Sequence, residues 1–155
     1  MDLARNLKID SLSRLHPTPP RQILPGQTVA EAVALMRRER VGCLLVADGP
    51  RVVGIFTERD LMARVLAEGK PLDTPVRECM TADPVTVLPK DSVGVAVRRM
   101  EEGGYRHLPV LDEQGRPVGI LSVKRIVHYL AEHFPGTVYN QPPDPGLVQQ
   151  QREGA

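Results

Sequence analysis

The chain has 155 residues, 41% hydrophobic and 25% charged, and its 20 Lys+Arg against 19 Asp+Glu leave a net charge of +1. A length like this gives one compact domain, or two small halves sharing a core. The charge balance speaks against a general nucleic-acid binder, the 3% aromatic content with no Trp leaves few base-stacking platforms, and no apolar run approaches the ~18 residues of a membrane span.

The start, Met1-Asp2-Leu3-Ala4-Arg5, has no basic segment leading into an apolar stretch, so no signal peptide is expected. Cys43 and Cys79 form no C-x-x-C and suit a reducing compartment, so the expected location is cytoplasmic. They read as a small core residue and a linker residue rather than a redox pair. Residues 1–20 carry Leu3, Leu7, Ile9, Leu12 and Leu15, enough for a short helix or strand packed on the rest.

Fifteen Pro, about twice the average usage of ~5%, cluster at Pro17 to Pro25, Pro71 to Pro89 and Pro135 to Pro145. They mark connections and leave two blocks, 21–70 and 85–134, joined by a linker over 71–84. The blocks are copies. Leu24-Pro25 falls on Leu88-Pro89, and Val29, Ala32, Val33 and Met36 fall on Val93, Ala96, Val97 and Met100. After one extra residue near Gly115, Arg51, Val53, Gly54 and Ile55 fall on Arg116, Val118, Gly119 and Ile120. An ordered series with a single insertion in a turn is an internal duplication.

In the first copy a short strand (Ile23-Leu24) precedes a helix opened by the capping box Thr28-x-x-Glu31. Its apolar face is Val29, Ala32, Val33 and Met36. A strand over Cys43 to Val46, a turn at Asp48-Gly49-Pro50 and a strand over Val52 to Phe56 make a hairpin. A closing helix runs from about Glu58 to Glu68 and stops at Gly69. The second copy repeats this from a strand at Val85 to Leu88. The class is α/β (α+β), two tandem β-α-β-β-α units whose sheets pack together to bury what one unit leaves exposed. The closing helices carry Leu61/Met62/Val65/Leu66 and Ile126/Val127/Leu130/Ala131, a face for the internal pack or for a partner subunit. The tail over 135–155, rich in Pro, Gln and Gly, is expected to be extended or disordered.

The β-α-β-β-α repeat, the segment Gly54 to Asp60, the segment Arg106 to Val110 and the linking Val76 to Val87 resemble a tandem pair of cystathionine-β-synthase (CBS) domains, a Bateman module. The resemblance covers about 21–134 and is to stand-alone members of the family. It implies a pseudo-two-fold pair of repeats with clefts between them, assembly as a homodimer, and an adenosine-containing ligand such as AMP, ADP, ATP or S-adenosylmethionine.

Thr57-x-x-Asp60 reads in two ways. It is an ordinary helix start with Thr57 as N-cap, or a site in which a carboxylate at a helix N-terminus accepts ribose hydroxyls and Thr57 meets ribose or phosphate. Gly54 either lets a ligand approach the backbone or marks a bulge. Arg106 and His107 are the solvated entrance of a strand, or cleft residues. The resemblance, close here to the nucleotide-sensing subunit of AMP-activated protein kinase, implies that Arg106, His107 and Lys124 contact phosphates of a nucleotide whose ribose Asp60 and Thr57 hold. Guanidinium and ammonium groups suit that task.

The second set departs from the pattern. Ser122 matches Thr57, but Arg125 stands at the position of Asp60 and has no acceptor for a ribose hydroxyl. Gly42 and Cys43 replace Arg106 and His107, and only Arg59 matches Lys124. One nucleotide site per chain and a weaker second site (Ser122, Arg125, Arg59) are expected. His16, His128 and His133 show no metal-ligand spacing, and no nucleophile elbow, phosphate-binding loop or zinc motif appears. The function read from sequence is a regulatory nucleotide-binding module that signals by repacking of repeats or protomers, not an enzyme. It has no cofactor, contacts no nucleic acid or membrane, and acts on a downstream protein that the sequence does not identify. The alternatives are a dimerisation scaffold without a ligand, or S-adenosylmethionine in the same cleft.

Overall fold

The computed structural model describes residues 3–134; the expectation for 135–155 lies outside them. Helix α1 (Leu3–Ile9) and a 3-10 turn (Leu12–Leu15) lead into β1 (Gln22–Ile23), α2 (Val29–Glu39), β2 (Cys43–Asp48) and β3 (Arg51–Thr57). Helix α3 begins as Glu58–Asp60 and continues over Leu61–Leu66 with π-type hydrogen bonds. A 3-10 turn (Val76–Glu78) and β4 (Thr81–Ala82) come next, then α4 (Val93–Gly103), β5 (His107–Leu111), β6 (Pro117–Ser122) and α5 (Val123–His133). The class is α+β.

Local chemistry sets most of these elements. The capping box forms in full at α2, where Thr28 Oγ1 accepts from the Glu31 N–H and the Glu31 carboxylate accepts from the Thr28 N–H. Val29, Ala32 and Met36 are buried beneath it. Ser92 caps α4, and Val93, Ala96 and Met100 are buried in the same spacing. Both hairpins slip register at the same place, between Val46 and Ala47 and between Val110 and Leu111. The closing helix of the first copy is wider than the regular helix expected: Ala67 N–H reaches Met62 O, and the chain turns off at Gly69 with φ of 65°. The strand expected over Val85 to Leu88 shrinks to one parallel bridge, Val87 with Val110. Its neighbours are diverted by side chains, since Arg99 donates to the Thr86 carbonyl and Asp91 accepts from the Leu88 N–H.

The duplication extends further than the two blocks. Val76 N–H bonds Gln27 O, and Arg77 N–H bonds Pro25 O. Sixty-four residues away, Leu12 N–H bonds Asp91 O, and Ser13 N–H bonds Pro89 O. Each copy therefore has a leading segment, and the two segments are exchanged. The one at 74–82 packs on the first copy: Val76 and Cys79 enter its core, and β4 pairs antiparallel with β3. Cys79 is thus a core residue, fully buried. The one at the N-terminus packs on the second copy: Leu12 and Leu15 enter that core, and Thr18 bridges Ile120 in β6. Buried Asp10 clamps it there, accepting from the Tyr129 hydroxyl and from Arg14 at 2.7 Å. The Tyr129 hydrogen bond, helped by Arg14, holds Asp10 below the usual carboxylate range, while burial and Asp10 push Tyr129 up to about 12.

Two glycines record how closely the exchanged segments cross. A Cβ on Gly54 would lie 2.5 Å from Met80 Sδ and 2.9 Å from the Thr81 carbonyl, and one on Gly119 would lie 2.8 Å from Pro17 Cβ. The close approach at Gly54 is made by the chain's own β4. Between the sheets, Cys43, Leu45, Ile55 and Ile120 form a third apolar cluster. The closing helices bury Val65 and Ile126 but leave Met62, Leu66 and Val127 more than half exposed.

Leu12 is 0% exposed and Leu24 is 56% exposed. Leu12→Ala should cost about 2–5 kcal/mol, whereas Leu24→Ala should stay within about 0.5 kcal/mol of the parent. Urea denaturation of both variants checks this, and equal losses would contradict the exchanged core.

Candidate functional site

Strand β3 delivers Thr57 to the start of α3, where its hydroxyl caps the helix by accepting from the Asp60 N–H at 3.2 Å. Asp60 closes the box by accepting on Oδ2 from the Thr57 N–H at 3.0 Å and the Thr57 hydroxyl at 3.1 Å. Its other oxygen takes the Thr81 hydroxyl at 3.1 Å and lies 3.5 Å from Arg64 Nε. Asp60 is 5% exposed. The carboxylate is therefore fixed by two segments of the chain, β4 and the start of α3, and a ligand hydroxyl reaching it replaces a bond already made there.

Strand β5 begins at His107, which pairs in register with Ser122 at the end of β6. Ser122 caps α5 by accepting from the Arg125 N–H at 3.1 Å. Arg106 precedes His107 and stays exposed, with its carbonyl accepting from Val123 N–H. Lys124, in the first turn of α5, is exposed as well. Burial lowers the His107 pKa from the ordinary 6.5, an effect that Glu58 opposes and Arg106 reinforces.

All of these side chains meet in one cavity of about 1320 Å³ between the halves. Thr57 and Asp60 line it from the first half, and Arg106, His107 and Lys124 from the second. Ser122 and Arg59 line the same cavity, and Arg59 donates to the Gly104 carbonyl at 3.2 Å. Arg125, grouped with them from sequence, does not line it. Its wall includes Cys43, whose thiol burial pushes up to about 12, so it stays protonated and unreactive at neutral pH.

Sequence reasoning did not single out Arg64 and Thr81, which hold Asp60, or Arg37 and Arg40, which also face the cavity. Arg64 was legible as a cation four residues after Asp60 on one helix. Thr81 had no local signal, because its contact depends on β4 pairing with β3. Among the described residues, no group of three or more His, Cys, Asp or Glu is placed to hold a metal, and no helix is long and apolar enough to cross a membrane.

Comparison with known proteins adds to this geometry. An uncharacterized 17.7 kDa protein of Acidianus ambivalens is 36% identical over 111 residues, which is 71% of this chain and 66% of that protein. The chain spans as little as 13% of other curated relatives that it matches. A CBS domain protein from Pyrobaculum aerophilum, solved in complex with AMP, has a TM-score of 0.71 and 30% identity, covering 79% of this chain and 99% of its own. The CBS domain pair of protein MJ0100, in complex with 5′-methylthioadenosine and S-adenosyl-L-methionine, shares the fold at a TM-score of 0.72 and 24% identity, covering 78% of this chain and 99% of its own. The CBS domain family model matches twice, over 13–67 and 76–132. With two such domains in tandem, whose outer segments and cleft follow from one duplication, the chain belongs to the CBS domain family.

Proposed function

We propose that the chain is a regulatory module that binds an adenine nucleotide in the cleft between its two CBS domains and is not itself a catalyst. The observation that carries this is the shared cavity: a carboxylate at a helix start on one side, and a guanidinium, an imidazole and an ammonium on the other. In this reading Asp60 and Thr57 hold the ribose, and Arg106, His107 and Lys124 hold the phosphate. The AMP complex of the Pyrobaculum relative supports an adenosine ligand. The ligand touches both halves, so its differential affinity for two arrangements of them, or of two protomers, is what passes the signal to a partner protein.

A second reading, a homodimerising scaffold without a ligand, draws on the exposed Leu66 and Leu72, which line one groove, and on the exposed Met62 of the same helix as Leu66. A nucleotide that binds only the folded state raises its melting temperature, so a thermal-shift series with AMP, ADP and ATP separates the two: no shift with any of them favours the scaffold.

The site reading sets two further outcomes. Asp60→Ala should lose about 1.5–3 kcal/mol of nucleotide affinity, the worth of hydrogen bonds to a charged group, or roughly tenfold to 150-fold. Arg125→Ala should leave affinity unchanged and the stoichiometry at about one nucleotide per chain. Titration calorimetry on folded variants reads both, and wild-type affinity in Asp60→Ala contradicts the site. His107 supplies a third. Its lowered pKa means the free fold disfavours imidazolium, so as pH drops through 6.5 the unfolded chain takes up the proton first and the fold loses stability. A phosphate beside the ring reverses this preference. At pH 6.5 the parent should therefore take up more protons per nucleotide bound than His107→Gln, as read by calorimetry in buffers of different ionisation enthalpy. Equal uptake would remove His107 from the phosphate contact.

A further inference from the structure

Arg40 ends α2 with φ of 56° and ψ of 46°, in the left-handed region. That conformation brings Cβ too close to the carbonyl oxygen in L-residues and is the usual place of glycine. The duplicated position obeys the rule: Gly104 ends α4 with φ of 70° and ψ of 25°, and both cap N–H groups bond the Met carbonyl of the last turn, Met36 and Met100. The helix ends differ in charge as well. Arg37-Arg38-Glu39-Arg40 in the first copy faces Glu101-Glu102-Gly103-Gly104 in the second. The dipole at a helix C-terminus favours cations in its last turn, which accounts for Arg37 and Arg38. It gives no reason for an arginine in place of glycine at the strained cap.

The cavity supplies one. Its lining holds seven basic side chains and two acidic ones, in a chain whose net charge is +1. Three of the cations are engaged by the protein: Arg64 with Asp60, Arg21 with Glu39, and Arg59 with the Gly104 carbonyl. The side chains of Arg37, Arg40, Arg106 and Lys124 make no hydrogen bond or ion pair among the described residues. The duplication pairs two of them. Arg59 of the first half, which reaches across to Gly104 of the second, corresponds to Lys124 of the second half, and Gly104 corresponds to Arg40 of the first, so the place that holds a cation on a carbonyl on one side of the duplication has two cations as its counterpart on the other. Like charges so arranged favour an anion between them. At about 1320 Å³ the cavity also exceeds the ~300–1,000 Å³ typical of small-ligand sites.

We infer that Arg40 is a specificity-determining residue, kept in a glycine conformation because its guanidinium binds the phosphates of a nucleotide beyond the one that Arg106, His107 and Lys124 hold. The inference rests on the nucleotide reading above and adds the phosphate count. It also disfavours a sulfonium ligand such as S-adenosylmethionine, whose positive charge would enter a basic cavity.

The test is titration of AMP, ADP and ATP into the parent, Arg40→Gly and Arg40→Lys, without divalent cation. The parent should bind ATP at least tenfold more tightly than AMP. Arg40→Gly should keep AMP affinity within about twofold, lose most of that tenfold preference, and melt no lower than the parent without ligand, because glycine relieves the left-handed cap. Arg40→Lys keeps the charge and should keep most of the preference. An unchanged ATP-to-AMP ratio in Arg40→Gly, or an equal loss for all three nucleotides, overturns the role of Arg40 while leaving the nucleotide site standing. Failure of the parent to bind any of the three overturns the nucleotide reading and this inference with it.

Discussion

The exchange of leading segments is the constraint on which the rest of the structure depends. A hairpin of two strands has open edges and too little apolar surface to stand alone. Here β4, which precedes the second copy, closes the outer edge of the first, and the segment through Thr18, which precedes the first copy, closes the outer edge of the second. Gly54 and Gly119 are the contact points, where a side chain would collide with the crossing segment. The N-terminus is thereby tied to the far half, with Leu12 and Leu15 in its core and Asp10 on Tyr129. Neither half is complete without residues from beyond its own block, and both halves contribute walls to the cleft between them.

Asp60 connects that architecture to the chemistry. Its carboxylate caps α3, accepts the Thr81 hydroxyl of the crossing strand and pairs with Arg64. It is held in place before any ligand arrives, which lowers the ordering cost of binding. The readings of Thr57-x-x-Asp60 as a helix start and as a ligand contact do not compete here. The capping geometry is formed in full, and the same two residues line the cavity.

Much of the fold was legible because duplication and side-chain periodicity leave marks on residue identity. The duplication, the Thr28 capping box and the hairpins are all written in such marks. The exchanged segments are placed by backbone bonds such as Leu12 N–H to Asp91 O, which carry no residue signature, and the apolar pairs Leu12/Val76 and Leu15/Cys79 do not say which core they enter. Gly54 could not be assigned for the same reason: its cause is Met80 and Thr81, fixed only by tertiary pairing. The five side chains expected around one nucleotide do share a cavity, because the start of α3 and the starts of β5 and α5 face it from opposite halves. Arg125 falls outside it, and Arg40 was not singled out, although Gly104 at the matching position signalled an unusual backbone.

The central claim is a division of labour between the halves, with the sugar held by the first and its phosphate by the second. A crystal structure of the chain with AMP tests it most directly. The account predicts ribose hydroxyls on the Asp60 carboxylate and phosphate oxygens within hydrogen-bonding distance of Arg106, His107 or Lys124. A ribose bound away from Asp60, or a phosphate pointing out of the cleft, would contradict it.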